Sequence, residues 1–200
     1  MSNSETIEIE LRSKDDQKLE EIWAQLKRHL AAANPELPYS PIEHIVRELV
    51  FNSIKANLKR IFLEEQGGQS ENGAAALDFR EALENVSPEL MQKAEASDRY
   101  VRVRFADLKT GAGGFEVTVV NNTEMLPGEK ELVDRLLFTD DQVGPEEAPS
   151  GESVSGEGGG LGLRMVRKIL HNCGLGQSAL RYETADARTA FTLRVPAGNH

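Results

Sequence analysis

The stretch ELVFNSIKAN, from Glu48 to Asn57, carries a carboxylate, an amide and an ammonium group along one side of an otherwise apolar segment. In a helix that advances about 100° per residue, Glu48, Asn52 and Lys55 fall within an arc of about 60°. An amide oxygen can bind a hard cation such as Mg²⁺, a lysine can pair with phosphate, and a carboxylate can polarise a water molecule. The same pattern also fits a plain solvated helix face. The narrowness of the polar stripe favours a site for a metal ion and phosphates.

A run of glycines, GEGGGLGL from Gly156 to Leu163, opens the last helical pattern of the chain. Glycines let the backbone approach a ligand closely, and the amides of a helix N-terminus attract anions. The chain contains no G-x-x-x-x-G-K-[ST], so the run is not a P-loop, and G-x-G-x-x-G fails because residue 163 is leucine. The run indicates an anion-binding helix start or, as the alternative, a flexible tether.

The elements that must position these two stretches follow from the spacing of the apolar residues. Period-two alternation predicts strands in TIEIELRS, RYVRVRFADL, GFEVTVVNN, QSALRYET and RTAFTLRVP. Helical spacing predicts helices in DDQKLEEIWAQLKRHLAAAN, from about Ser40 to about Leu63, in EKELVDRLLF and in GLGLRMVRKILHNCG, where Gly174 is the expected C-cap. Strands joined as hairpins and helices grouped apart from them predict an α+β two-layer sandwich, with a mixed, mostly antiparallel sheet and helices on one face.

Residues 1–200 are predicted to form a single domain that contains two irregular segments. The first, 66–98, is a predicted helical insertion with two short helices, LDFREALENV and SPELMQKAEAS. The second, 139–160, is acidic, rich in Gly, Ser and Pro, and without periodicity. Loops of that length in compact domains are typically lids or disordered segments, so 139–160 is predicted to be a mobile lid.

Composition and charge narrow the classes of function. The chain has 200 residues with a formal net charge of -10, and such a negative field argues against binding to nucleic acid or to an anionic membrane surface. The single cysteine, Cys173, allows no intrachain disulfide, which is typical of a cytoplasmic protein. The N-terminal residues do not resemble a signal peptide, and no apolar run is long enough to span a membrane.

Taken in order, these stretches resemble the histidine-kinase-type ATPases of the GHKL superfamily, whose domain has the Bergerat ATPase fold. ELVFNSIKAN resembles the N box of that family, and LLFTDD followed by GEGGGLGLRMVRKIL resembles its F box and second glycine box. RTAFTLRVP resembles the closing strand. The resemblance covers roughly residues 38–196 without the 66–98 segment.

The resemblance implies that the domain binds ATP and Mg²⁺ between the N-box helix and the lid. Asn52 would ligate Mg²⁺, Lys55 would contact phosphate, and Glu48 would be the general base or position the nucleophile. The remaining residues that the resemblance assigns to cofactor binding lie in the glycine boxes and the closing strand: Asn121, Gly158, Gly160, Gly162, Leu163 and Thr189. Thr189 would lie near the adenine and the three glycines near the phosphates.

The first glycine box departs from the family pattern D-x-G-x-G. The corresponding residues read VVNNTEML, with Asn121 in place of the aspartate and with Thr123 and Met125 in place of the two glycines. Asparagine still offers a carbonyl acceptor for the adenine amino group, but the charge-assisted hydrogen bond is lost. The two larger side chains restrict the backbone at the base pocket.

These features predict a Mg²⁺-dependent, ATP-binding, histidine-kinase-like domain, a stand-alone signalling kinase or ATPase that acts on a protein partner and that can form a homodimer. The alternative is a degenerate ATPase fold that serves as a protein-binding regulatory module without catalysis. A third possibility is an ATP hydrolase whose lid closure drives dimerisation. No helical hairpin bearing a phosphoacceptor precedes the N box, and His29 and His44 are predicted to be ordinary helix-surface residues.

Overall fold

The strands form one antiparallel five-stranded sheet in the computed structural model, which describes residues 6–65, 88–108, 113–138 and 161–198. The strands are β1 (Thr6–Leu11), β2 (Val101–Asp107), β3 (Gly114–Asn121), β4 (Leu180–Ala185) and β5 (Arg188–Pro196). They lie in the order β1-β2-β3-β5-β4, and each neighbouring pair is antiparallel.

Five helices accompany the sheet in the described part of the chain. They are α1 (Asp16–Ala33), α2 (Tyr39–Glu65), α3 (Pro88–Ala96), α4 (Pro127–Phe138) and α5 (Leu161–Asn172), and a 3₁₀ turn at Gln177–Ala179 precedes β4. The predicted α+β two-layer sandwich is therefore confirmed. None of the described helices combines the length and the apolar character needed to cross a membrane.

The sheet buries one face because its strands alternate between apolar and polar side chains. In β2, Val103 and Phe105 are fully buried, whereas Arg104 between them is exposed. On the polar face Arg102 lies opposite Glu10 of β1 and donates a 2.8 Å hydrogen bond from Nε to Glu10 Oε2. The alternation thus directs one face of the sheet toward the helices and places charged side chains, which form ion pairs, on the other face.

Helix α2 is the central helix of the core. Its buried residues occupy most of its circumference: Ile42, Ile45, Val46, Leu49, Val50, Ser53, Ile54, Asn57, Leu58 and Ile61. They pack against β2 and β3 on one side and against α3 and α5 on others. Because α2 touches so many elements, two of its polar residues, Ser53 and Asn57, are buried among them.

Two tight connections place residues at positive φ. The β4–β5 hairpin turns at Asp186 and Ala187, whose φ angles of 53° and 56° are those of a two-residue type I′ turn. Helix α5 ends at Asn172 and is capped by Gly174 (φ 69°), where the Gly174 amide donates to His171 O over 3.0 Å and the Leu175 amide donates to Leu170 O over 3.0 Å. This is a Schellman motif, so the predicted C-cap is confirmed.

One expectation about an individual residue needs correction. His29 is not a helix-surface residue: it is 7% exposed, and its ring lies between Phe105 and Phe115, with centroid distances of 5.3 and 5.6 Å. The aromatic pair on neighbouring strands forms a pocket that α1 covers, and His29 fills it. The other histidine, His44, is exposed as predicted.

The two irregular segments lie largely outside the described residues. Helix α3 confirms the second short helix predicted between 66 and 98, and its Leu90 and Ala94 are buried in the main core. The predicted first short helix of that insertion and the predicted lid at 139–160 fall in ranges that the structure does not describe.

Candidate functional site

Glu48 and Asn52 lie one turn apart on α2 and are joined by a hydrogen bond in which Asn52 Nδ2 donates to Glu48 Oε1 over 2.9 Å. Gly162, near the start of α5, lies directly against this carboxylate. A Cβ atom placed on Gly162 would overlap Glu48 Oε1 and Cδ. Glycine therefore allows the start of α5 to approach the α2 pair, and the two stretches that the sequence singled out meet at this contact.

The hydrogen bond fixes which side of the Asn52 amide faces outward. Because Nδ2 donates to Glu48, Oδ1 points to the opposite side of the amide, where it can accept a donor or bind a cation. Both side chains are half-buried. The pair thus presents a carboxylate and an amide oxygen beside the N-terminal turn of α5, which is the positive end of that helix dipole.

The other residues predicted at the phosphate end differ in their surroundings. Lys55 is exposed, as a side chain that reaches out to phosphate would be. Leu163 is partly buried and packs against the core cluster. Gly158 and Gly160 lie outside the described residues.

Asn121 and Thr189 lie directly opposite each other on β3 and β5. Each is 3% exposed, and each makes a hydrogen bond inside the protein. Asn121 Nδ2 donates to Asn57 Oδ1 over 3.4 Å, and Thr189 Oγ1 donates to Thr123 O over 2.7 Å. The two residues predicted at the adenine are therefore neighbours, and both belong to a buried polar network.

Asn57 is the centre of that network. It is 2% exposed, its Nδ2 donates to Tyr100 O over 2.9 Å, and its Oδ1 accepts from Thr123 Oγ1 over 2.6 Å as well as from Asn121. Arg99 Nη1 donates to Thr123 Oγ1 over 2.9 Å. Asn57 is five residues beyond Asn52, or about 7.5 Å farther along the helix axis, so α2 connects the two ends of the candidate site.

A cluster of charges holds the C-terminal half of α2 to α4. Glu129 Oε2 accepts from Arg60 Nη2 over 2.6 Å and from the Leu126 amide over 3.0 Å, and Glu129 Oε1 lies 3.2 Å from Lys59 Nζ. The contact with the Leu126 amide satisfies a free N–H at the start of α4. Lys59, which falls within the same 60° arc of α2 as Glu48, Asn52 and Lys55 and so belongs to its polar stripe, thus reaches a carboxylate of the protein itself.

The pKa of Glu129 lies below its ordinary value for identifiable reasons. Burial raises the pKa of this carboxyl, but the hydrogen bond and the charge of Arg60 lower it, as do the Leu126 amide and the charge of Lys59, and together they outweigh burial. Glu129 is therefore held as a carboxylate between two cations.

Sequence reasoning missed Asn57, Arg99 and Glu129. A signal for Asn57 was present, because it falls in an i, i+4 row that faces the core: Leu49, Ser53, Asn57 and Ile61. A polar amide in such a row must find hydrogen-bond partners. No comparable signal identified Glu129, because its partners lie 69 and 70 residues away in sequence.

Comparisons with known proteins add a relative but no function. No family model matches the chain, and no solved structure matches it. The chain is 30% identical over 162 residues to an uncharacterized protein of Treponema pallidum (strain Nichols). The match covers 78% of this chain and 31% of that protein, so the chain spans less than a third of the length of its relative.

Proposed function

We propose that this chain is a Mg²⁺-dependent ATP-binding domain of the histidine-kinase-like GHKL type that acts on a protein partner as a kinase or ATPase. The observation that carries the proposal is the contact between Glu48 and Gly162, with Asn52 bonded to the same carboxylate. A metal-binding amide, a carboxylate and a helix N-terminus at one point are groups that can bind a magnesium-held triphosphate.

Each side chain at this end has a role that its geometry supports. Asn52 Oδ1, which faces away from Glu48, would ligate Mg²⁺, and exposed Lys55 would pair with a phosphate oxygen. Backbone amides near Gly162, with those of Gly158 and Gly160, would receive the phosphates. When bound, Mg²⁺ would neutralise phosphate charge and orient the terminal phosphoryl group. Glu48 would polarise the attacking water or hydroxyl group.

No group of three or more His, Cys, Asp and Glu side chains in the described ranges is arranged to hold a metal ion. A magnesium ion bound here would therefore take its ligands from Asn52, from the nucleotide phosphates and from water. Mg²⁺ commonly binds in this way, because it retains several waters and uses few protein ligands. Metal and nucleotide should accordingly bind together.

This coupling leads to a direct test by isothermal titration calorimetry with a non-hydrolysable ATP analogue. We expect micromolar binding by the unaltered chain in the presence of Mg²⁺ and much weaker binding with EDTA. Asn52→Ala should remove the effect of Mg²⁺ and reduce affinity by at least about tenfold, or about 1.4 kcal/mol. The matched control is Asn172→Ala, an exposed asparagine at the far end of α5. Equal binding by the Asn52 and Asn172 variants would contradict the proposal.

The buried network at the base end favours a second candidate function. The Asn121 and Thr189 side chains already have protein partners, and Thr123 and Met125 occupy the positions of the two glycines. A fold whose base pocket is filled by its own side chains could serve as a protein-binding module without catalysis. Absence of nucleotide binding at millimolar concentration, with the fold intact, would favour this second function over the first.

The proposal also covers the partner, the location and the oligomeric state of the protein. A formal net charge of -10 supports a protein partner rather than nucleic acid or a membrane surface. A single cysteine supports a cytoplasmic location. Self-association into a homodimer is part of the proposal and can be measured by analytical ultracentrifugation with and without Mg²⁺ and nucleotide.

A further inference from the structure

Helix α5 presents two large apolar side chains to solvent. Leu161 is 70% exposed and Met165 is 43% exposed, and they are the exposed large hydrophobic residues of the described part of the chain. They lie one helical turn apart, so they share one side of α5. Single apolar side chains scattered over a surface are ordinary, whereas neighbouring ones on one helix face form a continuous apolar surface of the kind that binds partners. We call Leu161 and Met165 the α5 strip.

Cations border the α5 strip. At about 100° per residue, Leu161, Arg164, Met165 and Lys168 fall within an arc of about 100° around the helix, and all four are exposed. The sequence of α5, LGLRMVRKILHN, contains no aspartate or glutamate. In the whole chain, by contrast, aspartate and glutamate outnumber lysine and arginine by 33 to 23. The strip is therefore a basic, apolar surface on an acidic protein.

The charges around the strip decide between possible occupants. A two-fold symmetric contact between copies of this chain would place Arg164 and Lys168 against their own equivalents, and like charges brought together oppose association. An anionic membrane surface is disfavoured because the net charge of -10 repels it. The complementary occupant is a protein segment that combines apolar side chains with carboxylates.

We propose that the α5 strip is the docking surface for the protein partner of this domain, and that the partner contributes an acidic amphipathic helix. A helix carries apolar side chains at i and i+4 that can lie along Leu161 and Met165, and carboxylates beside them would pair with the flanking cations. Gly162, next to Leu161, lies against Glu48, so a partner on the strip is beside the proposed phosphate end. The inference rests on the proposed function and identifies where its partner binds.

The test uses a synthetic helical peptide that carries leucines at i and i+4 spacing with glutamates beside them. One control peptide has the same composition in scrambled order, and the other has lysine in place of each glutamate. Binding to the full chain is measured by fluorescence anisotropy without nucleotide. We expect the acidic peptide to bind at least about tenfold more tightly than either control, and raised salt should weaken its binding.

Substitutions on α5 locate the binding surface. Met165→Glu and Lys168→Glu should each weaken binding of the acidic peptide by at least about fivefold, because one removes apolar contact and the other replaces attraction with repulsion. The matched control for the change in charge is Lys130→Glu, an exposed lysine of α4, which should alter the affinity by less than about twofold. Circular dichroism monitors folding, and Met165→Ser replaces Met165→Glu if the latter does not fold.

The outcomes separate the possible occupants from one another. Equal binding of the three peptides, or equal binding by the Met165→Glu and Lys130→Glu variants, overturns the proposal. Self-association of the chain or binding to phosphatidylglycerol vesicles that Met165→Glu abolishes also overturns it, because each gives the strip another occupant. Since the peptide assay contains no nucleotide, a failure to bind the ATP analogue overturns the proposed function alone, and a failure to bind the acidic peptide overturns the docking surface alone.

Discussion

Gly162→Ala is expected to turn the Glu48 carboxylate aside and to lower the free energy of unfolding by up to about 1 kcal/mol, because the new methyl group would occupy space taken by the flexible end of that side chain. The Cβ position overlaps Oε1 and Cδ of that side chain. Either α5 moves away from α2, or Glu48 turns and loses its hydrogen bond with Asn52. The measurement is urea denaturation followed by circular dichroism.

Gly128→Ala is the matched control, because Gly128 also lies in the first turn of a helix, α4, but has nothing within 4 Å of its Cβ position. Alanine is the better helix former, so this variant should be neutral or up to about 1 kcal/mol more stable than the unaltered chain. Opposite signs at the two glycines would show that contact with Glu48, and not helix propensity, governs residue 162.

A double-mutant cycle measures the interaction energy between residues 48 and 162. In a Glu48→Ala background the overlap is gone, so the alanine at residue 162 should cause little loss of stability, and the two substitutions should be strongly non-additive. An equal cost of Gly162→Ala in both backgrounds would contradict the close packing of α5 on Glu48. Because Glu48→Ala also breaks the hydrogen bond to Asn52, its own cost should be about 1 kcal/mol.

Local periodicity was sufficient to predict the sheet and its helices. The alternation of apolar and polar residues in β2 and β3 determines which side chains face the core. The hairpin that the sequence predicts between the last two strands forms through a two-residue turn at Asp186 and Ala187, both with positive φ. The meeting of Glu48 with Gly162 was implied only by the resemblance, because the glycine run by itself was equally compatible with a flexible tether.

Long-range contacts explain what the sequence left open. His29 continues the buried row of Ile22 and Leu26 on α1, but the sequence does not identify its partners. Its ring packs against Phe105 and Phe115, which belong to two different strands. The polar stripe of α2 similarly separates into parts that only tertiary structure defines, since Glu48 meets α5 while Lys59 meets Glu129. Periodicity identifies the side of a helix but not the partner that comes to it.

The second large effect concerns Glu129. Glu129→Ala should lower the free energy of unfolding by about 3 kcal/mol, because Lys59 and Arg60, only 13% and 12% exposed at their side chains, would lose the carboxylate that lies between them. The Leu126 amide would also lose its acceptor at the start of α4. Exposed Glu131 on the same helix is the control, and Glu131→Ala should change stability by less than about 0.5 kcal/mol.

The unaltered chain and Glu129→Ala are expected to differ in their free energy of unfolding. The pH dependence of that difference distinguishes the effect of the Glu129 charge from the effect of its packing. The pKa of Glu129 in the folded chain lies below its ordinary value of 4.5, so its contribution is complete above about that pH. As pH falls through the lowered pKa, the folded state must take up the proton, and the contribution is lost. The stability gap between the unaltered chain and Glu129→Ala should therefore be constant from pH 7 to pH 5.5 and shrink below pH 4.5. A gap of the same size at every pH would mean that Glu129 stabilises the α2–α4 contact by packing and not by its charge.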